Sequence, residues 1–245
     1  MDPEKLAKTK EKYRLPNHWL RDPLHKYGLP YFGYMKLALE ALPTPPANVL
    51  DAGCGDGRIA AEFIKHGYTV TGVDLLETAV YYAQQLVPEG RFFQADLRQP
   101  IDPAKLQPAT FDAAVMMEVY EHIPPEDCPA VLHNIHTLLK ENGRFIISVP
   151  THLQPPSQLH YRHFNPADLQ TELTATGFTI HTLFGQNRLN AMTHLFMSDR
   201  MERLLDNQWL QPVFLKRLRK IWYYRCANRA PLNQGQRIIV IAQKS

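Results

Sequence analysis

Between residues 47 and 150 the chain alternates short apolar runs with amphipathic stretches. The runs NVLDAG, TVTGVD, RFFQAD, FDAAVMME and RFIISVP have the length and composition of buried strands. The stretches GRIAAEFIKHG, LETAVYYAQQLV and PEDCPAVLHNIHTLLKENG repeat apolar residues at helical spacing. Strands that alternate with helices form right-handed units around a parallel sheet. The pattern therefore predicts an α/β fold with a doubly wound, mostly parallel sheet.

We expect residues 1–245 to form a single domain with four consecutive parts. Residues 1–46 are predicted to form a helical cap that ends at PTPP, because proline cannot continue a helix. Residues 47–186 hold the alternating pattern and are predicted to form the core. Residues 187–234 are predicted to form a helical insertion or lid. The segment 235–245, with RIIVIAQK, is the predicted last strand.

The first predicted strand ends in the glycine-rich loop DAGCGDG. Gly53, Gly55 and Gly57 give the spacing GxGxG, whereas dinucleotide-binding loops have GxGxxG. Glycine permits a tight turn and lets a ligand approach the backbone. Asp56 inside the loop would repel a pyrophosphate, but it suits a ligand that carries an ammonium and a sulfonium. The loop therefore predicts a positively charged ligand rather than NAD.

Acidic residues stand at the ends of three successive predicted strands. Asp51 ends the first, Asp74 ends the second, and Asp96 follows the third. The carboxyl ends of parallel strands share one edge, where open α/β sheets bind their ligands. Asp74 falls where a ribose diol would donate hydrogen bonds. Asp96 can accept from an adenine amine while Leu97 flanks the ring.

These motifs together resemble those of the class I S-adenosylmethionine (SAM)-dependent methyltransferases. The resemblance covers residues 47–185 and the last strand, and it is specific at VLDAGCGDG, VTGVD, QADL and LKENGRFIISVP. It implies a Rossmann-like sheet of seven strands whose last strand is antiparallel. The segments FTIHTLF and RIIVIAQK fit that arrangement as a hairpin-like pair.

The resemblance also implies SAM as the cofactor. The three glycines would surround its methionine moiety, while Asp74 would hold the ribose and Asp96 the adenine. Met117 and Glu118, after the fourth strand, would lie beside the methyl group. The predicted cofactor-binding residues are Asp51, Gly53, Cys54, Gly55, Gly57, Asp74, Leu75, Asp96, Leu97, Met117 and Glu118.

Two histidine-containing stretches, MMEVYEHIPPED and LHYRHFNP, follow predicted strands. Methyl transfer requires the acceptor and SAM in line, and a hydroxyl acceptor must also lose a proton. His122 is the best-placed base, because histidine titrates near neutral pH. A purely architectural role for its EH motif is the alternative. The candidate catalytic residues are His122, Glu118, His160 and His163.

The same stretches contain a pattern of metal-binding side chains. Glu118, Glu121 and His122 lie within five residues, and His160 follows in the second stretch. This pattern resembles the metal site of small-RNA 3′-terminal 2′-O-methyltransferases, and its EH motif resembles that of the ubiquinone-pathway O-methyltransferases. The resemblance implies Mg²⁺, or another divalent metal, that lowers the pKa of an acceptor hydroxyl. The predicted metal ligands are Glu118, Glu121, His122 and His160.

Composition and charge bear on the cellular location of the protein and on the classes of partner that it can bind. A net charge of +3 neither demands nor excludes a nucleic-acid or membrane partner. A pI of about 8.7 is short of the strongly basic balance expected of a nucleic-acid-binding domain. Three cysteines without a CxxC pair, and an N-terminus without an apolar signal segment, predict a cytoplasmic protein. No apolar run approaches the length of a transmembrane span.

The C-terminal segment is basic. Residues 207–245 contain eight Lys or Arg and no Asp or Glu, and five of these cations fall in FLKRLRKIWYYR. A basic amphipathic helix of this kind can pack its apolar side on the domain, cover an active site as a lid, or rest on an anionic membrane. The sequence leaves these three interpretations open, including peripheral membrane contact.

The function that these observations favour is SAM-dependent methylation of a small-molecule or saccharide acceptor, at oxygen. Two alternatives stay open. In one, the acceptor is RNA or a lipid-linked glycan and a metal assists; in the other, the protein binds SAM without catalysis. Nucleic acid is the less favoured acceptor, because no RNA-binding module is apparent in the chain.

Overall fold

The computed structural model describes residues 2–206 and 213–245. Its strands form one sheet in the order β3-β2-β1-β4-β5-β8-β6-β7. The strands are β1 (Asn48–Ala52), β2 (Thr69–Asp74), β3 (Arg91–Gln94), β4 (Phe111–Met117), β5 (Leu139–Pro150), β6 (Phe178–Arg188), β7 (Arg229–Ala230) and β8 (Gly235–Lys244).

The sheet is mostly parallel, as predicted. Strands β1 to β5 pair in parallel, while β8 runs antiparallel to both β5 and β6. Strand β1 lies between β2 and β4, so the chain leaves the sheet in opposite directions on either side of it. This is the switch point at which open α/β sheets form a crevice for ligands.

Helices cover both faces of the sheet. Side chains of α2, α3 and α4 pack with one face, and those of α5 and α6 pack with the other. Among residues 2–206 and 213–245, no helix has the length and apolarity needed to cross a membrane. The helices are α1 (Pro3–Lys12), α2 (Gly28–Ala41), α3 (Arg58–Lys65), α4 (Glu77–Leu86), α5 (Cys128–Leu138), α6 (Pro166–Ala175), α7 (Ala191–Phe196), α8 (Asp199–Leu205) and α9 (Val213–Trp222).

Two details differ from the prediction. The sheet has eight strands instead of seven, because Arg229–Ala230 pairs with Gly185 and Gln186 at the edge; a two-residue strand leaves no pattern in the sequence. Helix α5 also ends earlier than expected. Leu139 is already extended and pairs with Phe111 of β4, so the ENG turn lies inside β5.

The predicted parts of the chain contain the following elements. Residues 1–46 hold α1 and α2, and residues 187–234 hold α7, α8, α9 and β7. Residues 207–212 of the predicted insertion lie outside the described residues.

Candidate functional site

A cavity of about 360 Å³ lies at the carboxyl ends of β1, β2 and β4. It lies at the switch point of the sheet, where the sequence places its acidic residues. Asp51, Gly55 and Gly57 are not part of its lining. The predicted cofactor residues that line it are Gly53, Cys54, Asp74, Leu75, Asp96, Leu97, Met117 and Glu118.

The loop glycines make room for other parts of the protein. Gly53, Gly55 and Gly57 all have positive φ, at 84°, 54° and 77°. A Cβ on Gly53 would lie 2.4 Å from Val119 Cγ2, and one on Gly55 would lie 2.6 Å from the Tyr13 hydroxyl oxygen. Gly57 precedes α3 and lies against α4. The glycines therefore bring neighbouring elements close to the loop, and only Gly53 also faces the cavity.

Asp74 organises the loop around the cavity. Its carboxylate accepts hydrogen bonds from the backbone amides of Gly55 and Leu76, both at 2.9 Å. Burial raises the pKa of Asp74, and these two hydrogen bonds act in the opposite direction. The carboxylate lies in the cavity lining at the end of β2, as the ribose assignment requires.

Asp51 is buried next to this carboxylate. Its Oδ2 atom has no hydrogen-bond partner among the described residues. Burial, followed by the charges of Asp74 and Asp56, raises the pKa of Asp51 to about 7. Asp51 is therefore a carboxyl group that takes up a proton much more readily than an ordinary aspartate.

Asp56 has a different role from the predicted one. Its carboxylate accepts from the His18 amide at 2.8 Å and lies 3.0 Å from His18 Nδ1. Its carbonyl accepts from Trp19 Nε1 at 2.8 Å. Asp56 is fully buried and does not line the cavity. It holds the N-terminal segment on the glycine loop, and the predicted interaction of its charge with the ligand is wrong.

Asp96 lies in the lining but already has a cationic partner. Arg98 donates to its two carboxylate oxygens at 2.6 and 2.8 Å, and Arg98 also pairs with Asp127. Burial opposes ionisation of Asp96, but the hydrogen bonds from Arg98 outweigh it and lower its pKa. The sequence analysis did not assign Arg98 a role, although it lies two residues further along the chain.

Glu118 is held in place from two directions. Its Oε2 accepts from Arg237 Nε at 2.6 Å, and its Oε1 accepts from the Ser148 hydroxyl at 3.0 Å. Its backbone has a positive φ of 58°. Arg237 comes from β8, so sequence reasoning had no local signal for it. Glu118 therefore lies in the cavity as a fixed, charge-paired carboxylate.

Three of the four predicted metal ligands come together. One ligand atom from each of Glu121, His122 and His160 lies within 4.8 Å of the others. Glu118 is not in this cluster, and its pairing with Arg237 gives the reason. The Glu121 side chain is buried, and its Oε2 has no partner among the described residues. All three residues line the cavity.

Backbone and side-chain contacts orient the two imidazoles. His122 Nδ1 lies 3.1 Å from the Leu159 carbonyl oxygen, and His160 Nδ1 lies 3.0 Å from His163 Nε2. Burial lowers the pKa of His122 to about 4 and that of His160 to about 3. Both side chains are therefore neutral at physiological pH. His163 lies outside the lining and contacts the site through His160.

The N-terminal segment, which the sequence predicts to be a helical cap, covers the cavity. The Asp2 amide donates to the Tyr161 hydroxyl at 2.8 Å, and Lys5 Nζ donates to the His160 carbonyl at 2.6 Å. Lys12 and Tyr13 then line the cavity. Other lining residues that the sequence analysis did not name are His18, Arg21, Tyr31 and Tyr34.

Comparisons with known proteins agree with this geometry. The family model described as "Methyltransferase domain" matches residues 29–183. The ubiquinone biosynthesis O-methyltransferase of Xanthomonas euvesicatoria is 30% identical over 196 residues, covering 70% of this chain and 80% of that protein. The protein of the same name from Idiomarina loihiensis is 30% identical over 154 residues, covering 60% of each chain.

Solved structures show the same fold. A TehB-like SAM-dependent methyltransferase from Corynebacterium glutamicum has a TM-score of 0.61 at 21% identity, with full coverage of both chains. Magnesium protoporphyrin IX methyltransferase from Synechocystis, with bound SAH, has a TM-score of 0.59 at 19% identity, covering 90% of this chain and 86% of that one. With the family match over more than half of its length, the chain belongs to the methyltransferase domain family and is a class I, SAM-dependent methyltransferase.

Proposed function

We propose that this enzyme transfers the methyl group of SAM to a hydroxyl oxygen of a small-molecule acceptor. One observation carries the proposal: a single cavity contains both the predicted SAM residues and the cluster of Glu121, His122 and His160. The names of the two curated relatives, both ubiquinone biosynthesis O-methyltransferases, support oxygen as the acceptor atom.

The residues around the glycine loop are proposed to hold SAM. Asp74 binds the ribose hydroxyls, and Asp96 and Leu97 contact the adenine. Gly53 leaves space for the methionine moiety, while Met117 and Glu118 lie beside the methyl group. Gly55, Gly57 and Asp51 act from outside the lining by shaping the loop. Displacement at the methyl carbon then depends mainly on holding the acceptor in line with SAM.

The size of the cavity favours a small acceptor over RNA. Helix α1 spans it, with Leu6, Thr9 and Lys12 in the lining. The cavity volume of about 360 Å³ lies at the lower end of small-ligand sites, which run from about 300 to 1,000 Å³, and SAM would take part of it. A saccharide or an aromatic hydroxyl compound fits this description, and a folded polymer does not.

Glu121, His122 and His160 are proposed to bind a divalent metal. One carboxylate and two neutral imidazoles are a donor set that suits zinc, manganese or iron better than Mg²⁺, which prefers oxygen ligands. The unpartnered Oε2 of buried Glu121 is the kind of atom that an ion satisfies. A bound ion would lower the pKa of an acceptor hydroxyl. Glu118 is removed from the predicted ligand set, because Arg237 and Ser148 occupy its oxygens.

The remaining catalytic candidates then have distinct tasks. His122 and His160 face the acceptor hydroxyl, and the Leu159 carbonyl keeps the His122 ring in one orientation. His163 is a positioning residue that orients His160. Glu118 keeps a fixed negative charge near the sulfonium of SAM, because its partners hold it in one place.

Metal analysis and methyl transfer test the proposal together. We expect the purified protein to contain a transition metal, and methyl transfer from radiolabelled SAM to a panel of catechols and sugars to fall sharply with EDTA. Glu121→Gln removes a charged ligand and should lower metal affinity and activity by more than the roughly 10–100-fold that loss of a residue supporting a ligand typically costs. The control Glu141→Gln changes an exposed carboxylate that pairs with Lys244 and should leave both unchanged.

Different results would reject different parts of the proposal. Full activity of metal-free protein in EDTA would reject the metal. SAM binding by calorimetry without transfer to any acceptor would support the non-catalytic alternative. Transfer to amine or thiol acceptors alone would reject oxygen as the acceptor atom.

A further inference from the structure

Helix α9 exposes its apolar face. Phe214, Leu218 and Ile221 are 69%, 44% and 51% exposed. Their spacing of four and three residues places them on one side of the helix. The buried side carries Arg219, which is only 4% exposed. This is the reverse of an amphipathic helix packed on a soluble core.

Ion pairs fix the rotation of the helix. Arg219 donates to Glu202 of α8 at 2.6 Å and also to the Leu24 carbonyl. Lys216 pairs with Asp206, at the end of α8. The exposed side chains of Phe214, Leu218 and Ile221 form the apolar stripe of α9. Turning this stripe inward would break the two ion pairs and expose Arg219, so the stripe stays outward. The buried Glu202 carboxylate would then lose its partner, which opposes such a rotation.

Cations flank the stripe. Arg217 and Arg225 are exposed and Lys220 is half-buried. None of the three forms a salt bridge with a residue in 2–206 or 213–245. The chain has no Asp or Glu after Asp206 that could pair with them. Exposed apolar side chains bordered by cations are typical of helices that lie in an anionic lipid interface.

Helix α7 extends the apolar surface. Phe196 of α7 packs on Trp222 at the end of α9, with ring centroids 4.7 Å apart. Two further side chains of α7, Met192 and Leu195, are exposed. We propose that α7 and α9 form a docking surface for an anionic lipid bilayer, in which the stripe of α9 enters the headgroup region and Arg217, Lys220 and Arg225 contact lipid phosphates.

Charge argues against a second copy of the chain as the occupant. Two copies that met through α9 would bring Arg217, Lys220 and Arg225 of both copies together. Like charges across an interface oppose association, whereas lipid phosphates neutralise them. The anionic bilayer is therefore the occupant that satisfies both the apolar stripe and its cations.

The surface is also connected to the cavity. Arg219 holds the Leu24 carbonyl, and His25 lies 3.7 Å from Glu202 of α8. Tyr27, two residues after His25, is in the cavity lining. A bilayer bound at the exposed side of α9 thus lies against a helix whose buried side contacts the segment that leads to the cavity lining.

Sedimentation with vesicles tests this without any methyl transfer, so it can fail independently of the proposed function. We expect the protein to bind vesicles of equal parts phosphatidylcholine and phosphatidylglycerol, and to bind pure phosphatidylcholine far less. The triple change Phe214→Ser, Leu218→Ser, Ile221→Ser should weaken binding by about tenfold or more. Arg217→Glu with Lys220→Glu should do the same, and added salt should no longer weaken the binding that remains as steeply as it does in the wild type.

Two controls separate docking from misfolding. Leu86→Ser changes an exposed leucine at the end of α4 and should leave vesicle binding unchanged. Phe214→Leu keeps an apolar side chain and should retain binding, and all variants should keep the wild-type thermal midpoint. Equal binding to neutral and anionic vesicles, or no binding, would overturn the proposal. So would a dimer in solution that dissociates in the triple variant.

Discussion

Gly53 is required for two separable physical reasons. Its φ of 84° lies in the left-handed region, where a side chain costs about 1–2 kcal/mol. In addition, any Cβ there would lie 2.4 Å from Val119 Cγ2, on the segment that follows β4. The second reason couples the glycine loop to the segment after β4, because Val119 directly follows Glu118.

Gly53→Ala should therefore destabilise the protein more than the backbone conformation alone explains. Gly67→Ala is the matched control, since Gly67 has a φ of 89° but its nearest neighbour, Pro45 Cβ, would be 3.5 Å away. We expect Gly67→Ala to cost about 1–2 kcal/mol and Gly53→Ala to cost about 1–3 kcal/mol more. Urea unfolding of both variants measures the difference. Equal losses of unfolding free energy in the two variants would show that Val119 moves away from the new Cβ without an energetic cost.

At the residue scale, the sequence predicted which acidic side chains line the cavity better than it predicted the residues that pair with them. Asp74 and Asp96 are in the cavity lining, as their places at strand ends predicted. Their surroundings could not be predicted, since the partners depend on side-chain packing. Arg237 lies 119 residues from Glu118 along the chain, and only the pairing of β5 with β8 brings them together.

At the scale of elements, the N-terminal segment and the glycine loop form one unit. Asp56 joins them through three hydrogen bonds, two to His18 and one to Trp19. The His18 ring also stacks on Tyr31 of α2, with centroids 5.2 Å apart. The cover of the cavity is therefore fastened by a buried aspartate that lies outside the cavity lining.

Asp56→Ala should lower stability and leave the intrinsic affinity for SAM unchanged. The loss of the carboxylate leaves the His18 amide and ring without their acceptor, which costs about 1–3 kcal/mol. Urea unfolding gives the stability, and calorimetry on the folded variant gives the affinity. Asp74→Asn is the control with the opposite expected effect on affinity. Asp74 lines the cavity, so this change should weaken SAM binding. An Asp56 variant of normal stability that loses SAM affinity would restore the predicted electrostatic role.

Elements with strong periodicity were predicted well, and those set by pairing were not. The strands around the switch point follow from their apolar runs. The early end of α5 does not, because Leu139 leaves the helix in order to pair with Phe111 across the sheet. Arg229–Ala230 is likewise a strand only because β6 offers it an edge.

At the scale of the whole molecule, the parallel sheet gathers residues from distant parts of the chain. The cavity lining includes Leu6 near the start and Arg237 near the end. Sequence reasoning located the site because parallel strands end at a common edge. It could not specify the contacts that hold the N-terminal cap on that edge, because an exposed amphipathic helix carries no signal for its docking position.

Folding stability should depend on pH through Asp51. Its pKa is about 7 in the folded protein and 3.8 in an unfolded chain, so the folded state binds the proton more tightly. Its contribution to the free energy of unfolding should be complete below pH 3.8 and should fall as pH rises to about 7, where it levels off. Asp51→Asn cannot ionise, so its unfolding free energy should decline less over that range.

Asp112 provides a control of opposite sign. Burial opposes its ionisation, but the hydrogen bonds from Lys140 and from the Asn48 amide lower its pKa. Its contribution is therefore present above the unfolded pKa and is lost as the solution becomes more acidic. Urea unfolding of SAM-free protein at several pH values, for wild type, Asp51→Asn and Asp112→Asn, should give curves that diverge in opposite directions. An unchanged pH dependence in Asp51→Asn would mean that the buried carboxyl ionises normally, with its charge offset by a reorganised glycine loop.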